Sequence, residues 1–207
     1  REGIGRDAIL LVDAGTAFGE DVEAAAARLP ALEATQATWL EEPFAAGALG
    51  AYGALARRSS RVRLAGGEGS HDVHMAKNLL EHGGVGYVQI DTGRIGGITS
   101  AYEVAKLAMA RGVTFVNHTF TTPLALSASV QPYAGLARDT LCEVPLEATD
   151  LAQRLTTTAL TPSADGLLRL PEAPGLGLTI DRTTVKRYLV ETEIRVGGRV
   201  VYTTPGL

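Results

Sequence analysis

Six short apolar runs, each closed by a polar residue and set one βα unit apart, constrain this chain more than any other feature. The runs are Ala8–Val12, Ala37–Leu40, Val62–Ala65, Gly86–Ile90, Val113–Val116 and Thr140–Val144. The polar residues at their ends are Asp13, Glu41, Glu68, Asp91, His118 and Glu143, at successive gaps of 28, 27, 23, 27 and 25 residues. Short continuous apolar runs suit strands buried on both faces, as in parallel sheets. Between them lie helical patterns over Asp21–Leu32, Ala46–Arg58, Val73–His82, Thr99–Arg111 and Pro123–Leu136. Strand, loop and helix in repetition predict an α/β fold with a parallel sheet and crossover helices. A repeat of this size is that of an eight-fold (β/α) barrel of about 250 residues, whose active site lies at the C-terminal strand ends. Five carboxylates and one imidazole are therefore expected at one mouth.

Composition narrows the function classes. The chain has 207 residues, a formal net charge of −4 and 45% hydrophobic residues, enough for one substantial core. Mild acidity argues against a nucleic-acid surface, which needs clustered Lys and Arg. No apolar run is long enough to span a bilayer, and no signal-peptide pattern opens the chain, so no membrane partner is expected. A single cysteine, Cys142, cannot form an internal disulfide, which fits a reducing, cytoplasmic setting. Residues 1–160 read as βα units and residues 161–207 as a separate C-terminal segment. In that segment Ala164–Gly177 is a Gly- and Pro-rich loop, Asp181–Tyr188 a short helix, and Val190–Tyr202 a hairpin about Gly197-Gly198.

The polar strand ends carry chemistry. Asp13, Glu41 and Glu68 close three successive strands, and their oxygens suit one hard divalent cation. Any one of them alone would more often be a strand end or helix cap; the shared register is what argues for a site. Asp91 and His118 close neighbouring strands, and a histidine steadied by a carboxylate is a general base near neutral pH. Glu143 reads as an acidic or hydrogen-bonding group facing a substrate, with a capping role as the alternative. His71, His74, His82 and Lys77 fall on the helical stretch after the third run and receive no role.

These residues resemble the enolase superfamily, specifically the mandelate racemase and muconate lactonizing enzyme family and its mandelate racemase-like group. The matching segments are Val12-Asp13-Ala14, Trp39-Leu40-Glu41-Glu42-Pro43, Gly66-Gly67-Glu68, Asp91 through Thr99, Asn117-His118-Thr119-Phe120 and Pro174-Gly175-Leu176-Gly177. The ordered set covers nearly the whole chain. The resemblance implies that Asp13, Glu41 and Glu68 bind Mg²⁺, that His118 and Asp91 form the catalytic dyad, and that Glu143 faces the substrate carboxylate. Strand alternation agrees that only one of Glu41 and Glu42 points into the barrel. Muconate-lactonizing relatives place a lysine where Asp91 stands, so the dyad favours the racemase-like group, many of whose members are acid-sugar dehydratases. The implied chemistry is removal of the proton α to a carboxylate, with a cation stabilising the charge that develops on the carboxylate oxygens.

Two departures from the family pattern matter. No lysine pair of the kind the family carries on its second barrel strand precedes Asp13, so the chain is expected to lack the first two strands and the N-terminal capping domain, supplied by a missing N-terminal segment. Gly15 stands where relatives often carry asparagine. The expected activity is dehydration of a sugar acid to a 2-keto-3-deoxy acid, by a homo-oligomer acting on a small-molecule carboxylate. Racemisation or epimerisation and cycloisomerisation are the alternatives within this chemistry, and a non-catalytic barrel fragment is the alternative outside it.

Overall fold

The computed structural model describes residues 1–59, 61–136, 141–146 and 148–206. It forms two compact units, one of Arg1–Thr119 with Ala128–Glu143, the other of Phe120–Ser127 with Val144–Leu207.

The first unit is built on five parallel strands in the order of the sequence: β1 (Leu10–Asp13), β2 (Ala37–Glu41), β3 (Arg63–Gly66), β4 (Tyr87–Asp91) and β5 (Thr114–His118). They form the curled half-barrel expected of a (β/α)-barrel chain. Between them run α1 (Val22–Ala26), α2 (Leu29–Ala34), α3 (Leu49–Ala56), α4 (Val73–His82) and α5 (Ile98–Ala110). Strand alternation sorts the side chains. Leu40, Leu64, Val88, Ile90 and Phe115 enter the main core with Ala76, Leu79, Val104 and Ala108 of the helices. The opposite face buries Trp39, Ala65 and Val116, with Leu11 and Tyr87 packed against them. Asp13, Glu41, Gln89, Asp91 and His118 continue that second face toward the C-terminal strand ends.

Helix ends follow local chemistry. Asp72 caps α4 by accepting the Met75 N–H at 2.8 Å. The continuous helix expected over Asp21–Leu32 is instead two, because Pro30 lacks an N–H and its ring clashes with the preceding turn; it stands near the start of α2. For the same reason the helix expected over Pro123–Leu136 is α6 (Pro123–Val130) followed by a 3-10 turn, Gln131–Gly135, containing Pro132.

The sixth strand expected over Thr140–Val144 is not found. Thr140 lies outside the described residues, and Leu141–Val144 has no strand geometry. Side chains bind this segment instead. The Tyr133 hydroxyl donates to the Leu141 carbonyl at 2.7 Å, and the Asn117 amide bonds both the N–H and the carbonyl of Glu143.

The second unit holds α7 (Asp150–Arg154), which the sequence patterns did not indicate, and α8 (Arg182–Tyr188), the short helix expected over Asp181–Tyr188, which Asp181 caps. It also holds the antiparallel hairpin β6 (Glu193–Val196) and β7 (Arg199–Thr203), turning at Gly197-Gly198 as the sequence predicts. Among the described residues, no helix is long and apolar enough to cross a membrane.

Candidate active site

Parallel register aligns the polar strand ends. Asp13 is the Cα partner of Glu41 across β1 and β2, and Asp91 is the partner of His118 across β4 and β5. Glu68 arrives differently. The chain leaves β3 through Gly67, whose φ of +126° few other residues adopt. A Cβ there would stand 2.9 Å from the Gln89 carbonyl oxygen, so both conformation and space require glycine.

His118 is the centre of the arrangement and is 2% exposed. Its Nδ1 lies 2.9 Å from Asp91 Oδ2 and its Nε2 2.9 Å from Glu68 Oε2. The second Asp91 oxygen accepts the backbone N–H groups of Gly93 and Arg94 at 2.8 and 3.0 Å. Arg94 donates to Glu68 Oε1 at 2.6 Å, so both oxygens of Glu68 are engaged. Burial opposes a charge on His118, but its hydrogen bonds with Glu68 and Asp91 outweigh that and raise it to about 9. The His118 hydrogen bond, helped by Arg94, holds Glu68 down at about 2.

The remaining carboxylates occupy the same neighbourhood. Glu41 Oε2 accepts the Trp39 indole N–H at 3.2 Å. Glu143 Oε1 accepts from Gln89 Nε2 at 2.9 Å, and its carboxyl is raised first by burial. Asp13 accepts the Gly15 N–H at 2.7 Å. β2 ends at Glu41, Glu42 takes a φ of +36°, and it is as buried as its neighbour. Burial and the charges of Glu68 and Asp13 push it up to about 7. Left-handed conformations outside glycine concentrate at functional sites.

Glu41 provides a test of whether a cation suits this place. Burial, together with the charges of Glu143, Asp13 and Glu68, raises it to about 7. Carboxylate oxygens that repel one another, those of Glu41 buried, of Glu68 half-buried and of Asp13 exposed, are a hard donor set that a divalent ion such as magnesium neutralises, so the chemistry fits. The positions are not yet those of a closed site. Among the described residues no three His, Cys, Asp or Glu side chains are grouped tightly enough to hold a metal. Each Glu68 oxygen has one side-chain partner, Arg94 or His118, and keeps a lone pair that could face an ion.

A model of the enolase C-terminal domain-like family matches residues 1–184. The chain belongs to that family. As an enolase-type chain it is 29% identical over 196 residues to a D-galactarolactone cycloisomerase of Agrobacterium fabrum, covering 91% of this chain and 51% of that protein. It is 33% identical over 183 residues to a D-galactonate dehydratase of Xanthomonas axonopodis pv. citri, covering 85% and 48%. A solved Rhodobacter sphaeroides structure, described as a predicted mandelate racemase, superposes with a TM-score of 0.94 at 58% identity, covering 99% of this chain and 52% of that one. A Paracoccus denitrificans mandelate racemase/muconate lactonizing protein, solved in complex with magnesium, superposes at 0.77 with 32% identity, covering 90% and 49%. The enolase-type chain thus spans about half the length of the curated relatives it matches.

Sequence reasoning passed over four residues of the site: Trp39, Gln89, Arg94 and Asn117. Trp39 and Gln89 stand two residues before Glu41 and Asp91, so period-two alternation already places them on the same face. Arg94 lay within a quoted segment but was given no role. Asn117 points to the other face, and its grip on Glu143 has no signal in local pattern.

Proposed function

We propose that this chain carries the proton-transfer residues of an enzyme that removes the α-proton of a sugar acid and expels the β-hydroxyl, giving a 2-keto-3-deoxy acid. The observation that carries the reading is the buried His118 held between two half-buried carboxylates, Asp91 and Glu68. Asp91 fixes Nδ1, which leaves Nε2 as the nitrogen that exchanges a proton with a substrate. Nε2 now faces Glu68, and this contact keeps the ring protonated near neutral pH. Moving the Glu68 charge off Nε2 returns His118 toward its ordinary value of 6.5, where it serves as a base. The same ring, once protonated, is the acid that assists departure of the hydroxyl.

Asp13, Glu41 and Glu68 are the residues that would hold Mg²⁺. Bound there, the ion would supply positive charge against the oxygens of the substrate carboxylate. Glu143, held by Gln89, would face the same carboxylate. A D-galactonate dehydratase among the relatives supports a sugar-acid substrate and dehydration. The Agrobacterium relative supports a second reading, cycloisomerisation, which begins with the same proton removal.

The test is made on the gene product that carries this chain, in D₂O with Mg²⁺ and D-galactonate or a panel of related acids. Dehydration yields a 2-keto acid detectable with semicarbazide. His118→Asn, which keeps the ring's approximate size but has no titratable nitrogen, should abolish both that product and deuterium incorporation at C2 of recovered substrate. Unchanged exchange in His118→Asn would remove the histidine from the reaction.

A further inference from the structure

Glu143 sits on a segment that no strand holds, yet its peptide and its carboxyl are each fixed by a fully buried amide. Asn117 lies on β5 with its side chain on the helix-facing side, whereas His118 faces the mouth. Asn117 Oδ1 accepts the Glu143 N–H at 2.9 Å, and Nδ2 donates to the Glu143 carbonyl at 3.0 Å and to Ser129 Oγ at 3.0 Å. One side-chain amide thus supplies the donor and acceptor that a paired strand would otherwise offer. Tyr133 completes the clasp. Its hydroxyl accepts the Asn117 N–H at 2.8 Å and donates to the Leu141 carbonyl at 2.7 Å.

On the other face, Gln89 Nε2 donates to Glu143 Oε1 at 2.9 Å. Gln89 and Asn117 are both fully buried. Gln89 Oε1 is buried with no hydrogen-bond partner among the described residues, which costs about 1–3 kcal/mol in a purely structural glutamine. A glutamine kept at that cost is explained by what its Nε2 holds.

We propose that Asn117 and Gln89 are positioning residues for Glu143, the first fixing its peptide from outside β5 and the second fixing its carboxyl from within. The requirement is specific. Aspartate at 117 keeps an acceptor for the Glu143 N–H but loses the donor to its carbonyl. Leucine keeps the approximate volume and loses both. The consequence of this placement rests on the proposed reading of Glu143 as the group facing a substrate carboxylate; the placement itself does not.

The experiment uses the gene product carrying this chain, labelled with nitrogen-15 glutamine and glutamate. The Gln89 side-chain resonances are assigned by their loss in Gln89→Met. Glu143→Ala then gives their positions without the carboxyl. Asn117→Leu should speed exchange of the Glu143 amide about tenfold or more and move the Gln89 side-chain resonances toward their Glu143→Ala positions. Asn117→Asp should retain most of the amide protection. A merely structural role for Asn117 would not reach Gln89, which lies on the other face of the sheet. Gln89 resonances that stay at wild-type positions in folded Asn117→Leu would overturn the proposal. Should that variant not fold, Tyr133→Phe removes only the shared hydroxyl, and the Gln89 resonances must move the same way by a smaller amount or the proposal fails. Failure of the dehydratase reading is seen separately, as unchanged exchange in His118→Asn, and leaves these resonances untouched.

Discussion

Replacing Gly67 with alanine tests how Glu68 is brought to His118. Two costs are written in the geometry. A φ of +126° is strained for any residue with a Cβ, at about 1–3 kcal/mol. The added methyl would also stand 2.9 Å from the Gln89 carbonyl oxygen and 3.1 Å from Val88 Cγ2. The oxygen belongs to the backbone of β4, an interior strand, and cannot rotate away, so overpacking adds about 1–3 kcal/mol. The two costs share one relaxation and do not simply add. The expected loss is therefore about 3 kcal/mol. With a urea m-value of about 2 kcal/mol per molar, the unfolding midpoint falls by roughly 1.5 M. Gly15→Ala is the control. Gly15 also has positive φ, at +51°, but a Cβ there meets nothing within 4 Å, so only the conformational cost applies. If Gly67→Ala shifts the midpoint no further than Gly15→Ala does, the close approach to β4 is not what demands glycine and the account of the turn is wrong.

Other outcomes follow from single contacts. Asp91→Asn takes the carboxylate from His118 Nδ1 and should slow C2 deuterium exchange by about 10²-fold or more, measured by NMR of recovered substrate. Trp39→Phe deletes the indole N–H that reaches Glu41, and urea unfolding should show a loss of about 1–2 kcal/mol beyond that of a surface substitution. In chelator, stability should fall as pH rises from 5 to 8, as read by thermal melts. Glu41 and Glu42 have folded values of about 7, above their ordinary 4.5, so their contribution is complete below 4.5 and is lost as pH rises through 7. His118, raised to about 9, acts in the same direction, and a melting temperature higher at pH 8 than at pH 5 would contradict this sign.

The sheet was legible because buried parallel strands leave continuous apolar runs, and five of the six runs became strands. The sixth was misread for a physical reason. Leu141–Val144 is apolar enough for a strand, but Asn117 and Tyr133 meet its polar groups, and no local pattern announces a side chain that replaces a ladder. Helix existence was legible from period; the breaks at Pro30 and Pro132 were legible from the residue type itself but were outweighed by the apolar periodicity around them. In the site, Asp91 and His118 were found as a pair because adjacent strands in register make them neighbours. Strand alternation does not fix the direction of Glu42, because it holds only inside a strand and the chain turns left-handed immediately past β2.

The same distinction separates the secure part of the site from the adjustable part. Asp91 and His118 are set by strand register, and two backbone N–H groups hold the second Asp91 oxygen, so the orientation of the imidazole is built into the sheet. Glu68 is set by a glycine turn beyond β3 and is shared between His118 and Arg94. It is therefore the carboxylate whose rearrangement changes the site with least disturbance to the fold. Its contact with Nε2 is one of the two hydrogen bonds that favour the protonated ring of His118. A ligand or ion that draws Glu68 from Nε2 would alter the proton affinity of the ring while Asp91 keeps it in place. The proton affinity of the histidine is thereby raised in part by a loop residue, while its direction is set by the sheet.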